Sequence, residues 1–110
     1  MAGRVARGDV RLYDFAPPDK KRPAVVLTRN SAIGYLSSVT IAAITSSIRG
    51  VPSEVVLNED DGMKSSCAVN LHNVVSVPQH RLGKCVAQLR ASRMKEICVA
   101  LSFSLGCDQV

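Results

Sequence analysis

The hydrophobic and polar positions divide the chain into two regimes. Up to about residue 90 the apolar residues fall in alternation or in short β-branched runs, and beyond it they follow a helical period. Residues 9–15, "DVRLYDF", place Val10 and Leu12 on one face, with Asp14 in phase, and Arg11, Tyr13 and Phe15 on the other, which is the pattern of a strand. "APPDKK" ends it, because two prolines cannot join a central ladder. "PAVVLTR", residues 23–29, is continuously apolar up to Leu27 and suits a strand buried on both faces. "NSAIGYLSS" reads as a connection in which Gly34 is able to take a positive φ. "SVTIAAIT", residues 38–45, is a second buried strand, "SSIRGVP" a polar loop, "SEVVLN" a short strand and "EDDG" a turn. "SCAVNLHNVVSV", residues 66–77, sets Cys67, Val69 and Leu71 against Ala68, Asn70 and His72, then loses phase near Asn73, which predicts a bend or bulge. "PQHRL" is a turn with 3₁₀ character and "KCVAQL" a last strand.

In the tail, Met94, Ile97, Leu101 and Leu105, with Cys98 beside them, recur at the spacing of an amphipathic helix. Ser92 is its expected N-cap and Gly106 its expected stop. Short strands followed by one late helix predict a mainly β fold, a small antiparallel barrel closed by a C-terminal α-helix. The length of 110 residues fits a single domain, 1–110, with no repeat or low-complexity segment. A chain of this size buries roughly 60–70% of its unfolded surface, so a dimer interface would add useful stability.

Charge adds a direction. The net charge is +5 and the isoelectric point about 9.3, which favours an anionic partner. Residues 1–30 hold seven cations against three acids, whereas 54–61 hold Glu54, Glu59, Asp60 and Asp61 with no cation. Such basic and acidic segments either serve two partners or are simply solvated loops. With no Trp, two Tyr and two Phe, the chain is poorly equipped to hold single strands mainly by stacking on bases. Cys67, Cys85, Cys98 and Cys107 form no C-x-x-C pair, and His72 and His80 complete no zinc pattern. "MAGRVARGDV" has no apolar signal region and no run is long enough to span a bilayer. Reduced cysteines in a cytoplasmic protein, with no metal or cofactor, are therefore expected.

No P-loop, dinucleotide fingerprint or nucleophile elbow is present. The candidate chemistry lies in polar residues at strand ends: Asp19, Lys20, Lys21, Arg22, Thr45, Ser46, Ser47, Arg49, Asn70 and His72. Pro23 restricts the backbone of Arg22 to extended conformations, and the planar guanidinium suits two phosphate oxygens. Taken singly, each residue has an ordinary explanation. Arg22 is then a strand-edge charge, Thr45 and Ser46 cap the loop that follows, and His72 is solvated. Taken together they are a set for cleaving RNA through its own 2′-hydroxyl, which requires proton transfer and cationic stabilisation of a phosphorane-like transition state. The ordinary histidine pKa of about 6.5 suits the proton transfer.

The order "GDVRLYDF", "KKRPAVVLTRN", "TIAAITSSI", "PSEVVL", "HRL" and a helix ending "ALSFSLG" resembles the MazF/PemK/Kid family of toxin endoribonucleases over about residues 8–105. The specific parts are Gly8-Asp9-Val10, Arg22-Pro23 and Ile44-Thr45-Ser46. The resemblance implies an SH3-like barrel of the CcdB/PemK type, a homodimer, and sequence-selective, metal-independent cleavage of single-stranded RNA. The products would be a 2′,3′-cyclic phosphate and a 5′-hydroxyl. It also implies a cognate antitoxin whose disordered acidic tail occludes the RNA groove.

By position, Arg22 resembles the family's essential arginine and Thr45 its active-site threonine, with Ser46 following. On this footing Arg22 supplies transition-state charge and acid assistance and Thr45 orients the phosphate, while proton transfer, which the resemblance does not carry over, is given to His72 or Asp19. A guanidinium holds its proton too tightly to donate it readily, so electrostatics suits an arginine better than proton donation. Lys20, Lys21, Ser46, Ser47, Arg49 and Asn70 would bind substrate, with the loop 46–52 and the first loop, 16–21, reading bases. The chain departs from the family in three places. The first loop has Asp19 as its only acid, Ser66-Cys67 replaces Asp-Ser, and His72-Asn73 stands where an acidic residue and Gln are common. Two alternatives share the fold. One is a CcdB-like toxin acting on DNA gyrase, which has no use for the Arg22–Thr45 pair. The other is a catalytically inactive RNA-binding module, suggested by the missing acids.

Overall fold

The computed structural model describes residues 4–17 and 20–109. Its strands are β1 (Asp9–Asp14), β2 (Lys21–Val26), β3 (Ser38–Thr45), β4 (Glu54–Leu57), β5 (Cys67–Pro78) and β6 (Cys85–Gln88). One helical turn, α1 (Asn30–Ile33), follows β2, and the long helix α2 (Ala91–Leu105) ends the fold. The strands form one sheet in the order β4-β5-β3-β2-β1-β6, every neighbouring pair antiparallel, curled into a half-barrel.

The two apolar runs become the centre of this sheet because side chains alternate across a strand. Val25 of β2 and Ala42 and Ile44 of β3 join Val10, Leu57, Val69, Leu71 and Ile97 in a core beneath α2. Ala24 and Val26 of β2, with Val39 and Ile41 of β3, pack on the opposite face against Ile33 and Val77. Tyr13 and Phe15 cover that second core edge to face, with ring centroids 4.9 Å apart. At the start of β1, the carboxylate of Asp9 is buried but fully engaged. It accepts from Arg11 Nε (3.1 Å), Ala6 N–H (3.1 Å) and Gln88 Nε2 (3.0 Å), which ties β1 to β6.

Several expectations are corrected. β2 begins at Lys21 and stops at Val26, since Thr28 and Arg29 turn into α1. The connection after β2 thus contains a helical turn, and Gly34 closes it with a right-handed φ of −64°. Ser92 is not the N-cap of α2. The carbonyl of Arg90 already accepts from the N–H groups of Arg93 (3.0 Å) and Met94 (3.1 Å), so the helix starts earlier and Ser92 lies within it, accepting from Arg90 Nε at 3.2 Å. The buried face of α2 is Ile97 and Ala100 flanked by Met94 and Leu101, while Leu105 is 67% exposed and Cys98 exposed. Gly106 does end the helix, with φ +75°.

Phase is lost in β5 where expected, through a wide bulge. Ala42 pairs with Val74 and Ile44 with Val69, so the four residues Asn70–Asn73 face Ala43 alone. The bulge is anchored rather than slack. Leu71 is buried, its N–H donates to the Ser53 carbonyl (2.9 Å), and its own carbonyl accepts from Ser104 Oγ of α2 (3.0 Å).

Candidate active site

Strand register brings the key residues together. Ala24 of β2 pairs with Ala43 of β3, and two residues further toward the same end stand Arg22 and Thr45. Arg22 is half-buried on β2, paired across β1 with Tyr13, so a ladder residue rather than a loop residue carries the guanidinium. Its neighbour Pro23 sits within the strand opposite Leu12, and the extended backbone it demands of Arg22 is the one the ladder uses.

A cleft of about 140 Å³ opens at this end of the sheet, lined by Arg22, Ala43, Thr45, Ser47, Arg49, Glu54, Asn70 and Asn73. Ala43, with a small and nearly buried side chain, leaves room at its base. The β5 bulge supplies Asn70 and Asn73 together, which strict alternation would put on opposite faces.

Local hydrogen bonds hold the walls. Thr45 Oγ1 accepts from Ser47 N–H (3.1 Å), so Thr45, which lines the cleft, does cap the following loop, and its hydroxyl keeps a proton to donate. Asn70 Oδ1 accepts from His72 N–H (3.0 Å) inside the bulge. Glu54 Oε1 accepts from both Arg49 N–H (2.9 Å) and Gly50 N–H (3.0 Å). Among the described residues no three His, Cys, Asp or Glu side chains gather as metal ligands would.

Of the residues singled out in the sequence, Arg22, Thr45, Ser47, Arg49 and Asn70 line this cleft. Ser46, His72, Lys20 and Lys21 are exposed and outside its lining, and Asp19 lies outside the described residues. Glu54 and Asn73 were not singled out. Asn73 had a signal, the loss of phase in β5. Glu54 had none, since "SEVVLN" reads simply as a strand with a polar first residue.

Residues 6–105 match the PemK-like, MazF-like toxins of type II toxin–antitoxin systems. The chain belongs to this family. It is 38% identical to the probable endoribonuclease MazF5 of Mycobacterium tuberculosis, over 99% of this chain and all of that protein. Among solved structures, the Mycobacterium tuberculosis toxin MazF-mt6 superposes with a TM-score of 0.81 at 28% identity, covering 89% of this chain and 96% of that one. A mycobacterial endoribonuclease in complex with its cognate antitoxin shares the fold, with a TM-score of 0.82 at 22% identity, covering 93% of this chain and 95% of that one. This PemK/MazF-family cleft is therefore formed by two central strand ends, one bulge and the loop 46–53.

Proposed function

We propose that the protein is an endoribonuclease toxin that cuts single-stranded RNA at selected sequences without metal. In this reading the 2′-hydroxyl attacks the adjacent phosphate and leaves a 2′,3′-cyclic phosphate and a 5′-hydroxyl. The observation that carries it is the cleft shared by Arg22 and Thr45, at matching positions on adjacent strands of a PemK/MazF-family chain. Arg22 balances the negative charge that grows on the phosphate oxygens, from a rigid strand that needs little reorganisation. Thr45 donates to a non-bridging oxygen and fixes the phosphate's orientation. Proton transfer falls to His72, the sequence neighbour of the cleft residue Asn73, or to Asp19.

Asn70, Ser47 and Arg49 present donors to base edges and phosphates, while Ser46, Lys20 and Lys21 extend the path for the flanking strand. The net charge of +5 supports such a path for RNA and, equally, for the acidic tail of a cognate antitoxin. The mycobacterial relative solved with its antitoxin supports that second partner. The reading includes a homodimer acting in the cytoplasm. No helix among the described residues is long and apolar enough to cross a membrane.

The test is to incubate purified protein and mixed RNA with EDTA and map new 5′-hydroxyl ends. The expected result is cuts at a recurring sequence, absent with Arg22→Ala. Cuts that vanish with EDTA, or persist with Arg22→Ala, would count against it.

A further inference from the structure

Glu54 is the one carboxylate among the residues lining the cleft, and nothing in the reaction proposed above uses it. Its geometry shows a different employment. A single oxygen, Oε1, takes two successive backbone N–H groups, those of Arg49 and Gly50, at 2.9 and 3.0 Å. Its own N–H donates to the Val51 carbonyl (3.0 Å), so the chain turns tightly around the Glu54 side chain. Gly50 holds φ +72°, with no atom within 4 Å of where a Cβ would stand. That glycine is required by backbone conformation and not by crowding. Glu54 is itself fixed, as the first residue of β4 and paired with Asn70 across the ladder to β5. At the other stem of the loop, Thr45 Oγ1 holds Ser47 N–H. The loop 46–53 is thus held by a side-chain acceptor at each end, with Arg49 between them on the cleft wall.

We infer that Glu54 is a positioning residue for substrate recognition: it shapes the loop 46–53 so that Arg49 meets the RNA at the cleft rim, and it takes no part in proton transfer. The inference rests on the RNA-cleaving reading, and it predicts an effect on substrate binding that travels through Arg49. An amide at position 54 keeps an acceptor oxygen for both N–H groups, whereas a methyl does not.

The experiment measures kcat and KM on a short RNA carrying one mapped cleavage site. Glu54→Ala is expected to raise KM about 10- to 100-fold with kcat within a few-fold, as misplacement of a binding group does. Glu54→Gln is expected to keep KM within a few-fold of the parent. In an Arg49→Ala background, Glu54→Ala should add little, because both changes remove the same interaction. Glu54→Gln as impaired as Glu54→Ala, a fall in kcat at unchanged KM, or full additivity with Arg49→Ala would each overturn the inference.

Amide hydrogen exchange, measured without RNA, gives a second readout. The Arg49 and Gly50 amides should be protected in the parent and in Glu54→Gln, and exposed in Glu54→Ala. Unprotected amides in the parent would overturn it even if Glu54→Ala failed to fold. If the parent cut no RNA at all, the RNA-cleaving reading would fail, and the exchange data would still decide how the loop is held.

Discussion

Arg22 and the two lysines before it carry the same charge but are held differently. Arg22 is half-buried in the β1–β2 ladder, whereas Lys21, the last ladder residue, opposite Asp14, and Lys20 just before it are exposed. A fixed guanidinium can act on one phosphate with defined geometry, while an exposed ammonium adds charge along a path. Arg22→Ala is accordingly expected to lower kcat by about 10²–10³-fold, the usual cost of removing a pre-aligned transition-state donor. Lys20→Ala or Lys21→Ala should weaken RNA binding modestly. Each should also flatten the slope of log affinity against log salt by about 0.7, the share of one phosphate contact on a single strand. Titrating RNA at several salt concentrations and assaying cleavage in parallel checks both; equal loss of kcat in all three variants would contradict the distinction. Arg22 could be singled out in "KKRPAVV" because Pro23 and the apolar run that follow restrict its backbone. Glu54 was not, because its role lies in accepting two backbone N–H groups from a loop whose turn only the folded chain defines.

At the scale of elements, α2 is docked by an ion pair as well as by its apolar face. Asp61, in the 3₁₀ turn after β4, is buried and accepts from Arg93 Nε (3.0 Å) and Nη2 (3.1 Å) and from Asn58 N–H (3.0 Å), with Arg90 at 3.5 Å. Burial alone would raise its pKa, but the Arg93 and Asn58 hydrogen bonds and the charges of Arg93 and Arg90 together bring it below the ordinary 3.8. A native pKa below the unfolded one means that this stabilisation is fully present above about pH 3.8 and is lost as the pH falls through the depressed value. Asp61→Asn is expected to cost about 1.5–3 kcal/mol at neutral pH, as for hydrogen bonds to a charged group. The gap to the parent should close in strong acid. Urea unfolding across pH checks this, and a gap that widened on acidification would contradict it. Nearby, burial and then the Asp61 charge push the Cys67 thiol above its ordinary 9.0, so it packs as a neutral, core-facing group. The pairing of Asp61 with Arg93 spans 32 residues, and no local pattern in "EDDG" distinguishes the buried acid from its exposed neighbours Glu59 and Asp60.

For the molecule as a whole, the single sheet leaves apolar side chains in solvent. Tyr35 is 80% exposed, Val99 71% and Leu105 67%. Exposed apolar surface on a chain of this size favours association. Light scattering at micromolar concentration is expected to report a dimer, and a stable monomer would oppose it. The family, the mainly β class and the late helix were open to reading from the sequence because alternation, β-branched runs and helical spacing are local properties of contiguous residues. So was the basic character, since charge is additive along the chain. The cleft itself was decided by tertiary structure. Arg22 meets Thr45 only through the β2–β3 register, Asn70 joins Asn73 only through a bulge pinned by Ser53 and Ser104, and α2 turns Ala100 rather than Leu105 inward to fit the core. Register, bulge anchoring and helix rotation are set by packing between segments far apart in the chain, and each of those energies exists only once the partners are in contact.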